Sequence, residues 1–213
     1  MPNSLLRKLM PWKQEKEDTR RADAWIFGTM LLFGLAGLTA AFVLSVEKIH
    51  LLENPNATLS CNFNLILNCA TVMKTAQSHI FGFPNSFIGM MGYPVVIAVA
   101  VAGLAGVRFP RRFLQAAQIG FGLGLIFAYW LFFQSVYEIG VLCPWCLVVT
   151  VSTTLIFESL LRYNLRENTF GFSTTLHRRV KEFLAKDYDK LIVAGWLLLM
   201  LLLVILKFRE GLF

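Results

Sequence analysis

The residues able to do redox chemistry in this 213-residue chain are its four cysteines, arranged as two pairs. Cys143-Pro144-Trp145-Cys146 follows the apolar run 113–137 and opens the run 144–161, so it sets two thiols one helical turn apart at the mouth of an apolar segment. Pro144 suits the first turn of a helix, where its missing N–H would have been unpaired anyway. Cys143 then falls near the N-cap, where the helix dipole favours a thiolate. Such a sulfur is a good leaving group and a ready target for thiol–disulfide exchange. Cys146, one turn further in, points towards the apolar interior and is better placed to meet a hydrophobic oxidant. Cys61 and Cys69 lie together in one connection between two earlier apolar runs.

Each pair has a blander alternative. A lone CxxC can be half of a zinc site, but a tetrahedral site would recruit Cys61 and Cys69, whose seven-residue separation is unlike the tight spacing of zinc ribbons. The loop pair could be a staple that orders the connection 47–86. A staple alone does not account for a second pair at the same membrane surface. Two pairs within reach allow a relay, in which the loop pair collects electrons from an aqueous dithiol and hands them to the CxxC pair, which reduces a quinone.

The elements that must position these thiols are membrane helices. Over half of the residues are apolar and 15% are charged, against about a quarter charged in soluble domains. A bilayer core about 30 Å thick takes ~20 apolar residues per helical span. Five runs meet that need: residues 24–46, 87–107, 113–137, 144–161 and 191–206. The short connection 108–112 forces its two neighbours antiparallel. The expected fold is an all-α membrane protein, a compact bundle of five transmembrane helices. The run 24–46 is longer than the apolar core of a signal peptide and no clear cleavage site follows, so it is read as an uncleaved anchor.

Charge sets the orientation. Sixteen of the twenty Lys and Arg residues fall in three segments that alternate with the spans: 1–23, 108–112 and 162–190. By the positive-inside rule these face the cytoplasm. The loop 47–86 and the CxxC then lie outside, where disulfides persist. The net charge of +7 is thereby accounted for by the lipid bilayer, with no nucleic-acid partner implied. Expected subdivisions are a cytoplasmic tail 1–23, partly helical along the membrane surface, a bundle 24–161 with its outer loop 47–86, a cytoplasmic basic connection 162–190, and a fifth span with a short outer tail, 191–213.

Other positions carry weaker signals. Asn54-Pro55-Asn56 predicts a turn, and residues 65–76 a short surface helix that sets Cys69 at the bilayer's outer edge with Cys61 above it. Asn85 either caps the second span or donates its amide to a quinone carbonyl; the residues alone leave both open. Pro94 is expected to kink its helix, and Gln118 and Gln134 to hydrogen-bond between helices. His50 and His79 read as exposed. Ser173 or Thr174 is expected to cap a basic amphipathic helix through Lys186, with Leu176, Val180, Phe183 and Leu184 towards lipid. Asn56-Ala57-Thr58 matches a glycosylation sequon.

The order of these motifs resembles the vitamin K epoxide reductase family: the pair Cys61-x7-Cys69, then Asn85-Ser86-Phe87-Ile88-Gly89 entering a span, then Cys143-Pro144-Trp145-Cys146 opening another. The likeness covers roughly residues 24–161. It implies a four-helix bundle around a quinone, menaquinone or ubiquinone, with the fifth helix an addition seen in bacterial relatives. It further implies that Cys146 reacts with the quinone, Cys143 exchanges with Cys69, Cys61 meets the external redox partner, and Asn85 hydrogen-bonds the quinone. Thr75, six residues after Cys69, matches a hydroxyl that supports the relay in relatives. Where animal members carry tyrosine four residues after the last cysteine, this chain has Thr150, so the resemblance does not carry over the second quinone contact or epoxide reduction. Some bacterial relatives add a thioredoxin-like domain after the fifth span; here the partner is expected to be a separate thioredoxin-like protein on the outer side.

The expected activity is disulfide generation by a quinone-dependent thiol–disulfide oxidoreductase of the cell membrane. A same-class alternative is an epoxide or quinone reductase that recycles a quinone, which consumption of epoxide would reveal. An unrelated quinone-coupled disulfide generator of the bacterial inner membrane would share the chemistry but not the topology. A transporter or scaffold with inert disulfides lacks the ionisable residues that transporters carry within their spans.

Overall fold

The computed structural model describes residues 11–56, 59, 61–62 and 67–212. The described chain is helical, and its β-type pairing is a single parallel bridge between Leu67 and Leu142. Helix α1 runs through Pro11–Glu53, roughly 65 Å at 1.5 Å per residue, about twice the thickness of a bilayer core. The segment from residue 11 to 23 is thus part of the first spanning helix and not a separate surface element. Its Lys, Glu, Gln and Arg residues are good helix formers, and Arg21 pairs with Glu17 one turn away at 2.8 Å.

After the turn at Asn54–Asn56 the chain forms a short helix α2, Cys69–Lys74, and a 3-10 turn, Ala76–His79. The helix begins later than the expected residue 65 because Asn68 caps it, Oδ1 accepting the Thr71 N–H at 3.0 Å. The sequon's Ala57 and Thr58 lie outside the described residues, as do residues 63–66. Then follow α3, Ser86–Leu104, and α4, Arg111–Phe133, which widens into a π-helical turn at Gln134–Ile139 and stops at Gly140 in the left-handed region. Helices α5, Pro144–Arg166, α6, Thr174–Ala185, and α7, Tyr188–Leu212, complete the chain. Five of these helices are long and apolar enough to cross a membrane, and this is a multi-pass membrane protein.

The bundle is built on α1, which packs along both α3 and α5, while α4 packs on α5. Close approach of α1 and α3 depends on glycines at the seam, the usual device where lipid offers no hydrophobic drive for association. A Cβ on Gly37 would lie 2.2 Å from the Tyr93 ring, and one on Gly103 would lie 2.5 Å from the Phe27 ring. Phe27, Met30, Tyr93, Ile156, Leu160 and Tyr163 fill the core between the three helices. Gln118 does bond between helices: Asn164 Nδ2 donates to its Oε1 at 2.9 Å. Gln134 does not, and instead lines a cavity between α3 and α4, two helices that scarcely touch.

The fifth span, α7, is an attachment to this four-helix unit. Trp196 Nε1 donates to Tyr129 Oη on α4 at 2.8 Å. At its start, Arg162 of α5 reaches Asp187 at 2.7 Å and Asp189 at 2.6 Å. Ser173 stands at the N-cap of α6 without a side-chain cap bond. Leu176 and Phe183 of α6 are exposed as expected, but Leu184 is buried, its carbonyl accepting from Arg162 at 3.0 Å.

Candidate functional site

The C-terminal ends of α1 and α4, the N-terminal ends of α3 and α5, and the loop between α1 and α3 gather at one end of the bundle, and all four cysteines are there. Cys61 and Cys69 are joined by a disulfide, whereas Cys143 and Cys146 are free thiols. The loop holding the disulfide is tied down on three sides. Lys48 Nζ of α1 donates to Met73 O at 2.5 Å, Lys74 Nζ to Pro55 O at 2.9 Å, and Asn62 Oδ1 accepts from Ala70 N–H at 3.2 Å. On the fourth side Asn68 N–H donates to Leu142 O at 3.0 Å, which extends the Leu67–Leu142 bridge.

That last bond sets the register of the two pairs. Cys69 follows Leu67 by two residues and Cys143 follows Leu142 by one, so the bridge holds together the two segments that carry them. Cys61, Cys69 and Cys143 share one buried cluster with Leu44, Leu51 and Met73, and Cys146 packs against it. Cys61, Cys69 and Cys143 are each no more than 2% exposed. A thiol from solution therefore reaches the loop disulfide only after local movement of the loop.

Pro144 occupies the first turn of α5, and Cys143 is its N-cap. The Cys143 sulfur accepts the N–H of Cys146 at 3.3 Å, so a backbone donor is already in place for a thiolate there. Cys146 lies one turn inward and lines the cavity. Sequence placed both residues at these positions, because proline at a helix start is a local signal.

The cavity has a volume of about 650 Å³ and is lined by α1, α3, α4, α5 and the loop that carries α2. Its walls are mainly apolar, with Phe81, Phe121, Phe127, Leu131 and Ile156 among them. Asn85 also lines it. The cap reading of Asn85 does not hold: its backbone is helical (φ −59°, ψ −25°) and its side chain makes no cap bond, where a cap needs extended geometry. Instead Nδ2 donates to Gln77 O at 2.7 Å, and Oδ1 is buried with no protein partner. An orphaned buried carboxamide oxygen at the edge of an apolar chamber calls for a ligand donor, because such a group costs about 1–3 kcal/mol when left unpaired.

Thr75 and Thr150 both line the cavity, yet their hydroxyls turn back to the chain, onto Val72 O at 2.7 Å and Cys146 O at 2.9 Å. Sequence reasoning missed two further lining residues, Tyr93 and Lys48. Tyr93 Oη is 3.0 Å from Thr153 Oγ1, a tie between α3 and α5 across the chamber. A tyrosine in an apolar span gives no local sign of such a partner. Lys48, five residues short of the end of α1 at Glu53, reads from sequence as an ordinary interfacial lysine. His50 and His79 are exposed, as expected.

Among known protein families, residues 29–160 match the one described as the vitamin K epoxide reductase family, which is more than half of the chain. No curated protein matches the chain.

Proposed function

The chain belongs to the vitamin K epoxide reductase family, whose members are membrane redox enzymes acting with quinones, and from that premise we propose that it makes protein disulfides at the expense of a quinone. The dithiol donor is a thioredoxin-like protein. Its two thiols lose two electrons and two protons to the Cys61–Cys69 disulfide, which opens to two thiols as the donor's own disulfide forms. Cys69 thiolate then attacks Cys143 of an oxidised Cys143–Cys146 pair. Cys146 leaves as thiolate, and a Cys69–Cys143 bridge forms. Attack by Cys61 on Cys69 closes the loop disulfide again and frees Cys143 as the second thiol. What supports this order is the Asn68–Leu142 hydrogen bond, which holds together the segments carrying Cys69 and Cys143, with both sulfurs in one buried cluster and Cys146 on the cavity wall.

The residues of the cavity fit a quinone. The walls suit an apolar ring, and Cys146 borders the space. Asn85 keeps a second Nδ2 N–H for a quinone carbonyl and an unpaired Oδ1 that would accept from the reduced quinol's hydroxyl. A quinone bound there supplies an acceptor for two electrons and two protons. Cys143 and Cys146 release those equivalents as their own S–S bond forms. Loop disulfide and free CxxC thiols correspond to the stage just before that oxidation. On charge grounds this end of the bundle faces outward, away from the cytoplasm.

The test is quinone reduction by the purified protein given a reduced thioredoxin-like protein and a short-chain ubiquinone or menaquinone. Reduction at many turnovers is expected for the wild type and background rate for Cys146→Ala. Full activity in Cys146→Ala would remove the scheme.

A further inference from the structure

Which polar groups of the cavity are still free decides how a ring with two carbonyls can be held there. A hydroxyl has one proton to give, and the hydroxyls here have spent theirs on the chain. Thr150 donates to Cys146 O at 2.9 Å, Thr153 to Val149 O at 2.8 Å, Ser135 to Val141 O at 2.5 Å and Thr75 to Val72 O at 2.7 Å. Because Thr153 donates elsewhere, Tyr93 gives its own proton to Thr153 Oγ1 or to Val149 O, 3.3 Å away. Lys48 is held on the α1 side by Met73 O. The neutral carboxamides of Asn85, Gln77 and Gln134 also line the cavity and keep N–H donors not committed to the protein.

Two of these amides share one wall. Asn85 begins α3, and the residue it bonds, Gln77, belongs to the adjoining turn. The third, Gln134, stands across the gap on α4 and has no side-chain hydrogen bond to the protein. The pitch of α4 keeps it the outermost polar side chain on its face of the wall. Gly120, Gly124, Phe127, Leu131 and Gln134 line the cavity at α-helical spacing, and the next position at that spacing is Glu138. The π-helical turn at Gln134–Ile139 adds a residue to the repeat, so Ile139 takes the wall and Glu138 is exposed. Single π turns of this kind concentrate at functional sites. Here it keeps a carboxylate out of the chamber and leaves a neutral donor within it.

We propose that Gln134 is a ligand-binding residue of the cavity: its side-chain N–H donates to one carbonyl of a quinone ring whose other carbonyl meets Asn85. The assignment rests on the quinone reading above, and it places the second carbonyl contact on α4 where Thr150 has no proton to offer.

The experiment measures binding by quenching of tryptophan fluorescence in the purified, bilayer-reconstituted full chain. The probes are 2,3-dimethyl-1,4-naphthoquinone and its one-carbonyl relative 1-tetralone. Gln134→Met keeps the length and loses the N–H; Gln134→His keeps a donor. One neutral hydrogen bond corresponds to about a tenfold change in Kd. Gln134→Met should weaken the naphthoquinone by about that factor and tetralone by less than about twofold, while Gln134→His recovers most of the loss. Equal weakening of both probes, or no recovery with histidine, would mean that Gln134 only packs, and the assignment is overturned. Unchanged naphthoquinone binding in Gln134→Met likewise overturns it but leaves the quinone reading intact. Failure of the wild type to bind either probe would defeat the quinone reading itself.

Discussion

Cys143 and Cys146 both border the cavity, but Cys143 also belongs to the buried cluster of Cys61 and Cys69, against which Cys146 packs from outside. If the relay runs as proposed, a chain without Cys146 cannot form the Cys143–Cys146 bond. Cys143 is then left to attack Cys69 of the loop disulfide, expelling Cys61 and forming a Cys69–Cys143 bridge that no Cys146 thiolate can open. Cys146→Ala purified under trapping conditions should carry that mixed disulfide in a large fraction of molecules, and peptide mapping after alkylation reads it directly. Recovery of Cys61–Cys69 as the sole bridge would show that exchange follows another order. At this scale the sequence was informative where chemistry is local. A proline after a cysteine announces a helix start, and both CxxC residues sit where that signal puts them. It was uninformative about Asn85, because the carbonyl that takes its amide belongs to Gln77 eight residues back, in a turn whose shape no residue type specifies.

Helices, in contrast, were legible in existence and less so in extent. Hydropathy reports transfer energy residue by residue, so all five spans could be read from it, yet it falls silent at residue 23 although α1 continues to Pro11 through charged helix formers. Nor does hydropathy show the seams. Gly37 and Gly103 look like any glycines of a membrane helix, but each has an aromatic ring of the facing helix in the space a Cβ would fill. Replacing Gly37 by alanine forces α1 away from Tyr93 and should cost about 1–3 kcal/mol, the range for an overpacked core. Gly28 has nothing within 4 Å of a built Cβ. Gly28→Ala should therefore be neutral or slightly stabilising, since alanine is the better helix former by about 1 kcal/mol. Thermal unfolding of the two variants in detergent checks the contrast; equal transitions would show that the α1–α3 seam is looser than these contacts.

The corner between α6 and α7 couples the bundle to its fifth span through charge. Lys190 first, and then Arg162, hold the Asp187 carboxyl below the ordinary carboxylate range. A group depressed in this way stabilises the corner above its unfolded pKa, and the contribution is lost as pH falls through the lower folded value. Asp187 is more than half exposed, so the effect is local. Amide protection in residues 184–192, measured as exchange relative to the intrinsic rate at each pH, should fall on going from about pH 6 to about pH 3, and Asp187→Asn should abolish that step. A pH response unchanged in Asp187→Asn would assign it to a different group.

For the molecule as a whole, the distribution of charge along the bundle axis decides which compartment the thiols serve. The basic segments 108–112 and 162–190, with Arg20 and Arg21, gather at the end opposite the cysteines, and among the described residues Lys48, Lys74, Lys207 and Arg209 lie near the redox end. A bias that large in short connections sets orientation during insertion, and the compartment in turn sets the chemistry: a CxxC pair facing the cytosol would be kept reduced, whereas one facing outward can cycle. In a background with its four cysteines replaced by serine, a cysteine introduced as Lys186→Cys should resist a membrane-impermeant maleimide until the cells are opened. One introduced as Glu53→Cys, at the end of α1 beside the loop, should react in intact cells. The reverse pattern would put the loop disulfide in a reducing compartment, and a disulfide-generating role would then be untenable for this bundle whatever its cavity binds.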